Sequence, residues 1–337
     1  MSQEKSKKTV VTFGEVMLRL STPSFERFTQ AKNFNVNYAG AEANVAVSIV
    51  NLGMNAAHVT RLPENDIGIA AQQTLQKFGV DTRFIQFGNE RMGLYFLENG
   101  SMQRASRIIY DRFDSAFAMI KKGSVDWEEI LKGASWFHYT GITPAISQGA
   151  ADVCLEAVQA ARKLNITISG DINYRRNLWQ YGKSARDVMP SLIELTDVIV
   201  AGTADLENCI GIGGDNFEKS CQLTMKKFPN IKKIATTLRD SISSSHNKIA
   251  ALLYDGKKLI TSKQYDLTHI VDRIGAGDAF MAGLIYGLLN KKENQQSLEF
   301  AIAASAWKHS VEGDLNLATV ADIEGLVRGE NIGKLLR

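Results

Sequence analysis

Asp272-Arg273-Ile274-Gly275-Ala276-Gly277-Asp278 leads straight into the apolar run Ala279 to Leu289. Gly275, Ala276 and Gly277 are small, and a carboxylate follows them at the start of what reads as a buried helix. Small residues there leave the backbone N–H groups of a helix N-terminus uncovered, which makes an anion site. An aspartate in the first helical turn lies within reach of whatever anion is held. A base beside an anion cradle suits phosphoryl transfer to an alcohol. The plainer alternative is an aspartate capping a helix after a glycine-rich turn. The surrounding sequence has to separate the two.

Upstream, short β-branched runs alternate with longer helical patterns. Strands are expected at Thr9–Phe13, Ala57–Arg61, Ala134–Tyr139, Ile166–Ser169, Val198–Ala201 and Ile234–Leu238. Helices are expected at Glu42–Leu52, Ile67–Phe78, Ser147–Leu164, Ser184–Leu195 and Asn216–Phe228. This alternation predicts an α/β fold with a mainly parallel sheet and helices on both faces. The strands are almost continuously apolar, as burial on both faces requires. Downstream come a hairpin, Ile249–Tyr254 and Lys258–Ser262 turned by Asp255-Gly256, and helices at Asp278–Leu289, Gln295–Val311 and Thr319–Val327.

Two regions interrupt the alternation. Residues 18–36 hold no clear helix. Residues 91–113 read as a hairpin, with Gly93–Glu98 and Arg104–Arg112 joined at Asn99-Gly100. Together they are expected to form a small β-lid over the carboxyl edge of the sheet, where open α/β folds bind ligands. Residues 1–8 read as a flexible basic tail and 9–337 as one domain carrying these lid insertions.

The 337 residues are 45% hydrophobic and 22% charged, with a formal net charge of +3. That charge is too small to suggest a nucleic-acid partner. No apolar stretch is long enough for a membrane helix, and no signal peptide is evident. Cys154, Cys209 and Cys221 are far apart and odd in number, which favours a reducing, cytoplasmic setting over a disulfide frame or zinc site. There is no Walker A loop, and no dinucleotide glycine motif follows the first strand. Gly211-Ile212-Gly213-Gly214-Asp215 joins two helical patterns and reads as a turn. The five histidines form no cluster, and His58, His138 and His309 read as core residues.

A second stretch, Tyr38-Ala39-Gly40-Ala41-Glu42-Ala43-Asn44, brings a glycine and small residues to a helix start. It could be an ordinary N-terminus turned by Gly40. It could equally be backbone that approaches a ligand closely, with Asn44 ready to bond a hydroxyl.

At this point the chain resembles a known family. Asp272 to Asp278 is similar to the D-x-x-G-A-G-D signature of the ribokinase-like, or PfkB, sugar kinases, and Gly40 to Asn44 to their N-terminal glycine-asparagine motif. The resemblance covers all but the basic tail and implies a three-layer α/β/α fold with a small β-lid. Within the family the chain is most similar to 2-keto-3-deoxygluconate kinases. That finer likeness rests on Gly141-Ile142-Thr143-Pro144, on Asp171-Ile172-Asn173-Tyr174-Arg175 with Leu178-Trp179, on Lys308 to Asp314, and on Arg273 within the signature.

The resemblance implies ATP as phosphoryl donor, Mg2+, and a monovalent cation as a further candidate. Asp278 would be the base, with Gly275, Ala276 and Gly277 cradling the transferred group. Gly40, Asn44, Tyr95, Arg107, Tyr110 and Arg175 would meet a sugar acid. An acid needs a fixed cation, preferably a guanidinium that can fork onto carboxylate. The alternative is that the arginines are solvated and the tyrosines merely pack, and Arg104, Arg112 and Arg176 stand close enough to exchange roles with them. Nucleotide contacts would come from Thr237, Arg239, Ser241, Arg273, Gly275, Gly277 and, near the adenine, Ala304.

The chain departs from the family in two places. Gly202 stands where an asparagine of the magnesium-associated element is usual, leaving Asp205 as a metal candidate acting through water. Thr237 to Ser241 replaces the usual glycine-containing nucleotide loop, so Arg239 could reach phosphates or be a surface charge. Two alternatives follow: a kinase of fructose, ribose or another sugar, and a catalytically silent sugar- or nucleotide-binding regulator. A flat lid carrying Leu94, Phe96, Ile108 and Ile109 suggests a homo-oligomer paired through the lid.

Overall fold

The structure, a computed structural model, describes residues 8–330. The expected basic tail therefore lies outside the described residues, apart from Lys8. The chain begins β1 (Thr9–Phe13), β2 (Met17–Ser21), β3 (Asn35–Ala39), α1 (Ala41–Asn51), β4 (Asn55–Val59), β5 (Arg61–Pro63), α2 (Asp66–Lys77), β6 (Gln86–Gly88), β7 (Gly93–Glu98) and β8 (Arg107–Asp111). It continues α3 (Trp127–Leu131), β9 (Trp136–Thr140), α4 (Thr143–Ile146), α5 (Gln148–Lys163), β10 (Thr167–Asp171), α6 (Ala185–Ile193), β11 (Val198–Val200), α7 (Thr203–Ile210) and α8 (Phe217–Lys227). It ends β12 (Lys233–Ser241), β13 (Asn247–Tyr254), β14 (Leu259–Thr261), β15 (Tyr265–Leu267), α9 (Ala276–Leu289), α10 (Asn294–Lys308) and α11 (Val320–Arg328).

The central sheet has the order β14-β13-β12-β11-β10-β9-β1-β4, with β15 also on β13. The run from β12 to β4 is parallel, and β13 turns it antiparallel at one edge. Neighbouring residues on each strand enter opposite cores, as the two-residue period of a strand requires. Val11, Ile199 and Ile234 pack toward α5, α6 and α7, while Val10, Val198 and Ala235 pack toward α1, α9 and α10. This is the expected ribokinase-like three-layer α/β/α architecture.

α9 is buried almost all round, consistent with its nearly unbroken apolar sequence. It lies tight against α10: a Cβ at Gly283 would sit 2.8 Å from Ala301 Cα, and one at Gly287 would sit 2.8 Å from Ser297 Cα. Small residues at these two points let the helix axes approach.

The lid is a separate sheet of order β3-β2-β7-β8. Its β7–β8 pair is the expected hairpin with a different connection. Glu98 pairs with Arg107, so residues 99–106 form the link and the Asn-Gly pair alone does not. That segment folds back on itself, with the Gly100 N–H donating to Ser106 Oγ at 3.0 Å.

Candidate active site

The parallel strands deliver their last residues to one edge, and a cleft of about 870 Å³ opens there beneath the lid. Its floor takes Glu15 after β1, Ile142 after β9, Asp171 at the end of β10 and Ala201 after β11. Two helix starts complete the floor, those of α1 and α9.

α9 begins at Gly275, whose φ of 81° is left-handed and whose Cβ position would lie 1.9 Å from the carbonyl oxygen of Asp314. Only glycine fits both conditions. Ala276, Gly277 and Asp278 then form the first turn, whose N–H groups a helix leaves without internal partners. A Cβ at Gly277 would meet nothing within 4 Å, so this turn faces open cleft. Dipole and N–H groups together favour an anion there.

Asp278 accepts a hydrogen bond from Asn44 Nδ2 at 2.7 Å across the two helix starts. α1 reaches this point because Gly40 has no side chain: a Cβ there would stand 1.9 Å from the Glu15 carbonyl oxygen. Burial, then the charges of Glu42 and Asp314, push the Asp278 carboxyl up to about 7, against the Asn44 bond and Arg175. Asp171 rises further, to about 8, through burial and the charges of Asp278 and Asp205. Glu42 is buried, and burial raises it too, while Thr140 Oγ1 and Thr143 Oγ1 donate to its Oε1 at 2.7 and 2.6 Å. Burial thus pushes the carboxyls of Asp278, Asp171 and Glu42 upward together, as happens at acid–base sites.

Most of the expected residues converge on this cleft. Gly40, Asn44, Tyr95, Tyr110 and Arg175 line it, as do Thr237, Arg239, Arg273, Gly275, Gly277 and Asp278. Ala276 contributes backbone only, its side chain being buried. Tyr95 is buried, and its hydroxyl donates to Asp314 Oδ1.

Three residues lie elsewhere. Arg107 is exposed on the other face of β8, because Ile108, Tyr110 and Arg112, spaced two apart, are the residues that face the cleft. Ser241 ends β12 away from the cleft lining. Ala304 is fully buried against Gly283 of α9 and has no surface to offer an adenine.

Arg112 is the lid arginine at the cleft. Its Nε donates to Glu15 Oε2 at 2.8 Å, and Ser115 Oγ donates to Glu15 Oε1 at 2.5 Å. Strand parity could have found it, since a strand that turns Tyr110 inward turns Arg112 inward and Arg107 outward. Glu15, Glu42, Asp171 and Asp314 also line the cleft and are not among the residues expected from sequence.

Asp205 lines the cleft, yet both of its oxygens are engaged by backbone: Gly202 N donates to Oδ2 at 2.8 Å and Tyr174 N to Oδ1 at 3.1 Å. It caps α7 and fixes the Asn173–Arg175 turn, where Asn173 takes a left-handed φ of 35°. Among the described residues no three His, Cys, Asp or Glu side chains form a metal-binding group. On the opposite wall Arg239 and Arg273 stand together. Burial and then Arg273 lower the pKa of Arg239, which remains a cation facing the cradle.

A helix start open to the cleft, a carboxyl in its first turn and a small sheet over both fit a carbohydrate kinase of the ribokinase-like kind, and the family match shows it. The chain belongs to the pfkB family of carbohydrate kinases, whose family model matches residues 7–319. It is 41% identical to a 2-dehydro-3-deoxygluconokinase from Thermotoga maritima, with a TM-score of 0.91 over 96% of this chain and 100% of that one. It is 32% identical to a 2-dehydro-3-deoxygalactonokinase from Haloferax volcanii, covering 96% of this chain and 98% of that one. A fructokinase from Xylella fastidiosa with bound ATP shares the fold at a TM-score of 0.80 and 19% identity, over 96% of this chain and 99% of that one.

Proposed function

We propose that the protein phosphorylates a sugar acid with ATP, 2-keto-3-deoxygluconate at its C6 hydroxyl being the first candidate. The observation carrying this reading is a single cleft that holds Asp278 and the α9 start on its floor with Arg175 and Arg112 around them. Asp278 takes the proton of the attacking hydroxyl, and Asn44 aims its carboxylate. The N–H groups at the α9 start hold the transferring phosphoryl group as charge spreads over its oxygens. Arg239 and Arg273 suit the remaining phosphates. Magnesium bound with ATP would neutralise phosphate charge, held mostly by phosphate and water. Arg175 and Arg112 supply the cations for the acid's carboxylate. The Glu15 pair uses Arg112 Nε and Nη2, which leaves Nη1 out of it.

An ATP-coupled panel of 2-keto-3-deoxygluconate, its galacto epimer, fructose and ribose tests this. The keto-acids should give the highest kcat/KM. Arg112→Ala and Arg175→Ala should each raise the keto-acid KM by roughly 10- to 100-fold, the loss of one charged hydrogen bond. Arg107→Ala should leave that KM unchanged. A preference for fructose or ribose would remove the acidic-substrate reading and keep the kinase, and binding without turnover of any sugar would favour a silent regulator.

The lid sheet is bounded by β3 and β8, where Val36 and Ile109 are exposed, with exposed Phe113 just beyond β8. This reading pairs a second copy of the chain along those edges. Light scattering at micromolar concentration should give a multiple of the 37.1 kDa chain mass. A monomer under those conditions would remove the lid-paired assembly.

A further inference from the structure

Lys308 is a buried charge with no part in the reaction described above. It closes α10 and is fully buried. Its ammonium donates to the carbonyl of Val311 at 2.9 Å and lies 3.5 Å from the carbonyl of Asp272. These carbonyls belong to the two segments that build the cradle. Asp272 opens the run ending at Asp278. Val311 leads to Asp314, whose own carbonyl oxygen backs Gly275.

The charges around the ammonium balance. Asp272 and Asp314 supply two carboxylates, and Arg19 and Lys308 supply two cations. Burial lowers the Lys308 pKa, Asp272, Asp314 and Asp278 push it back up, and Arg19 opposes them. A compact single charge held by backbone carbonyls beside carboxylates is the setting a dehydrated alkali cation takes.

We propose that the Lys308 ammonium is a tethered monovalent cation that clamps the 272 and 311 segments behind the anion cradle, so that turnover needs no free potassium or sodium. Lys308 is a positioning residue, acting through the backbone it binds. Removing it leaves Arg19 facing two buried carboxylates and two vacated carbonyls, a net negative pocket that should recruit an alkali cation.

The inference rests on the kinase reaction and not on the acidic substrate, so the assay uses whichever sugar the panel identifies. Wild type and Lys308→Ala are compared in KCl, NaCl and choline chloride at equal ionic strength. Wild-type kcat should agree within about twofold across the salts. In choline the alanine variant should lose at least about tenfold in kcat with little change in sugar KM, and potassium should restore much of the loss. Its melting temperature should rise in KCl over choline, while the wild-type melting temperature should not. Lys308→Met, which fills the space without charge, should be slow in all three salts. Wild type activated severalfold by potassium, a methionine variant with wild-type kcat, or an alanine variant whose melting ignores potassium would each overturn the assignment. If the alanine variant fails to fold in every salt, the wild-type salt series and the methionine variant still decide.

Discussion

Replacing Asp278 with asparagine should lower kcat by roughly 10²- to 10⁴-fold, the usual contribution of a positioned base, while ATP binding persists. The variant keeps the shape of the first α9 turn and its N–H groups, and Asn44 can still donate to the amide oxygen. What it loses is the acceptor for the hydroxyl proton. Steady-state kinetics with the preferred sugar, set beside ATP affinity from calorimetry, separates the two effects. A variant within tenfold of wild type would remove the base role.

The same carboxyl fixes the pH dependence. With Asp278 up at about 7, kcat/KM should climb with pH through that region and level off above it, because only the carboxylate accepts a proton. At pH 6 roughly one tenth of the bases would be ionised. The charge of Glu42 raises the cost of ionising Asp278, so Glu42→Gln should move the rising limb to lower pH. Stability runs in the opposite direction. The folded-state value lies above the ordinary carboxyl value of 3.8, so the contribution of this group is full below that value and is lost as pH rises through about 7. An asparagine side chain at this position does not titrate and carries no such loss. The urea midpoint of Asp278→Asn at pH 8 should therefore equal or exceed that of the parent.

The parts of the fold legible in sequence are those that local chemistry determines. β1 falls on its expected span, and α9 starts at the glycine-alanine-glycine step because small residues and an acid are what that N-terminus needs. α11 begins at Thr319, whose side chain caps it as the Thr319–Asp322 spacing suggests. The lid was harder for a physical reason. In β2 the buried residues are Met17, Arg19 and Ser21, while Leu18 and Leu20 are only half-buried. Hydropathy therefore points to the wrong face, because Arg19 finds its partners 253 and 295 residues away. No local pattern could announce that. α7 has no expected bounds beyond a helical pattern before Gly211, because its N-cap is Gly202, which has no side chain, and Asp205 completes the cap from inside the helix. In the site, the Gly275–Asp278 stretch was legible as a motif, and it does open onto the cleft. The lid arginine was not read correctly, because Arg107 and Tyr110 were taken together although an odd spacing puts them on opposite faces of a strand.

Arg19 also supplies the largest expected stability effect. Its guanidinium forks onto Asp314 Oδ2 at 2.7 Å and Asp272 Oδ2 at 2.6 Å, and all three side chains are nearly inaccessible. Backbone N–H groups of Ile274 and Gly313 add bonds to Asp272 at 2.9 and 3.1 Å, and the Tyr95 hydroxyl completes Asp314. One lid strand is thereby fastened to both segments that shape the cradle. Arg19→Met keeps the bulk and leaves two buried carboxylates facing Lys308 alone. Removing one side of such a pair costs about 3–5 kcal/mol, to be read from urea unfolding at pH 7. Because Asp314 backs Gly275 and Asp272 begins the run to Asp278, kcat should fall as well, even though Arg19 touches no reacting atom. Arg19→Lys separates charge from geometry. It restores a cation but cannot fork onto both acids, so it should recover part of the stability and less of the turnover. A methionine variant that loses under about 1 kcal/mol, the size of an exposed pair, would show that the lid is held to the cradle by packing instead.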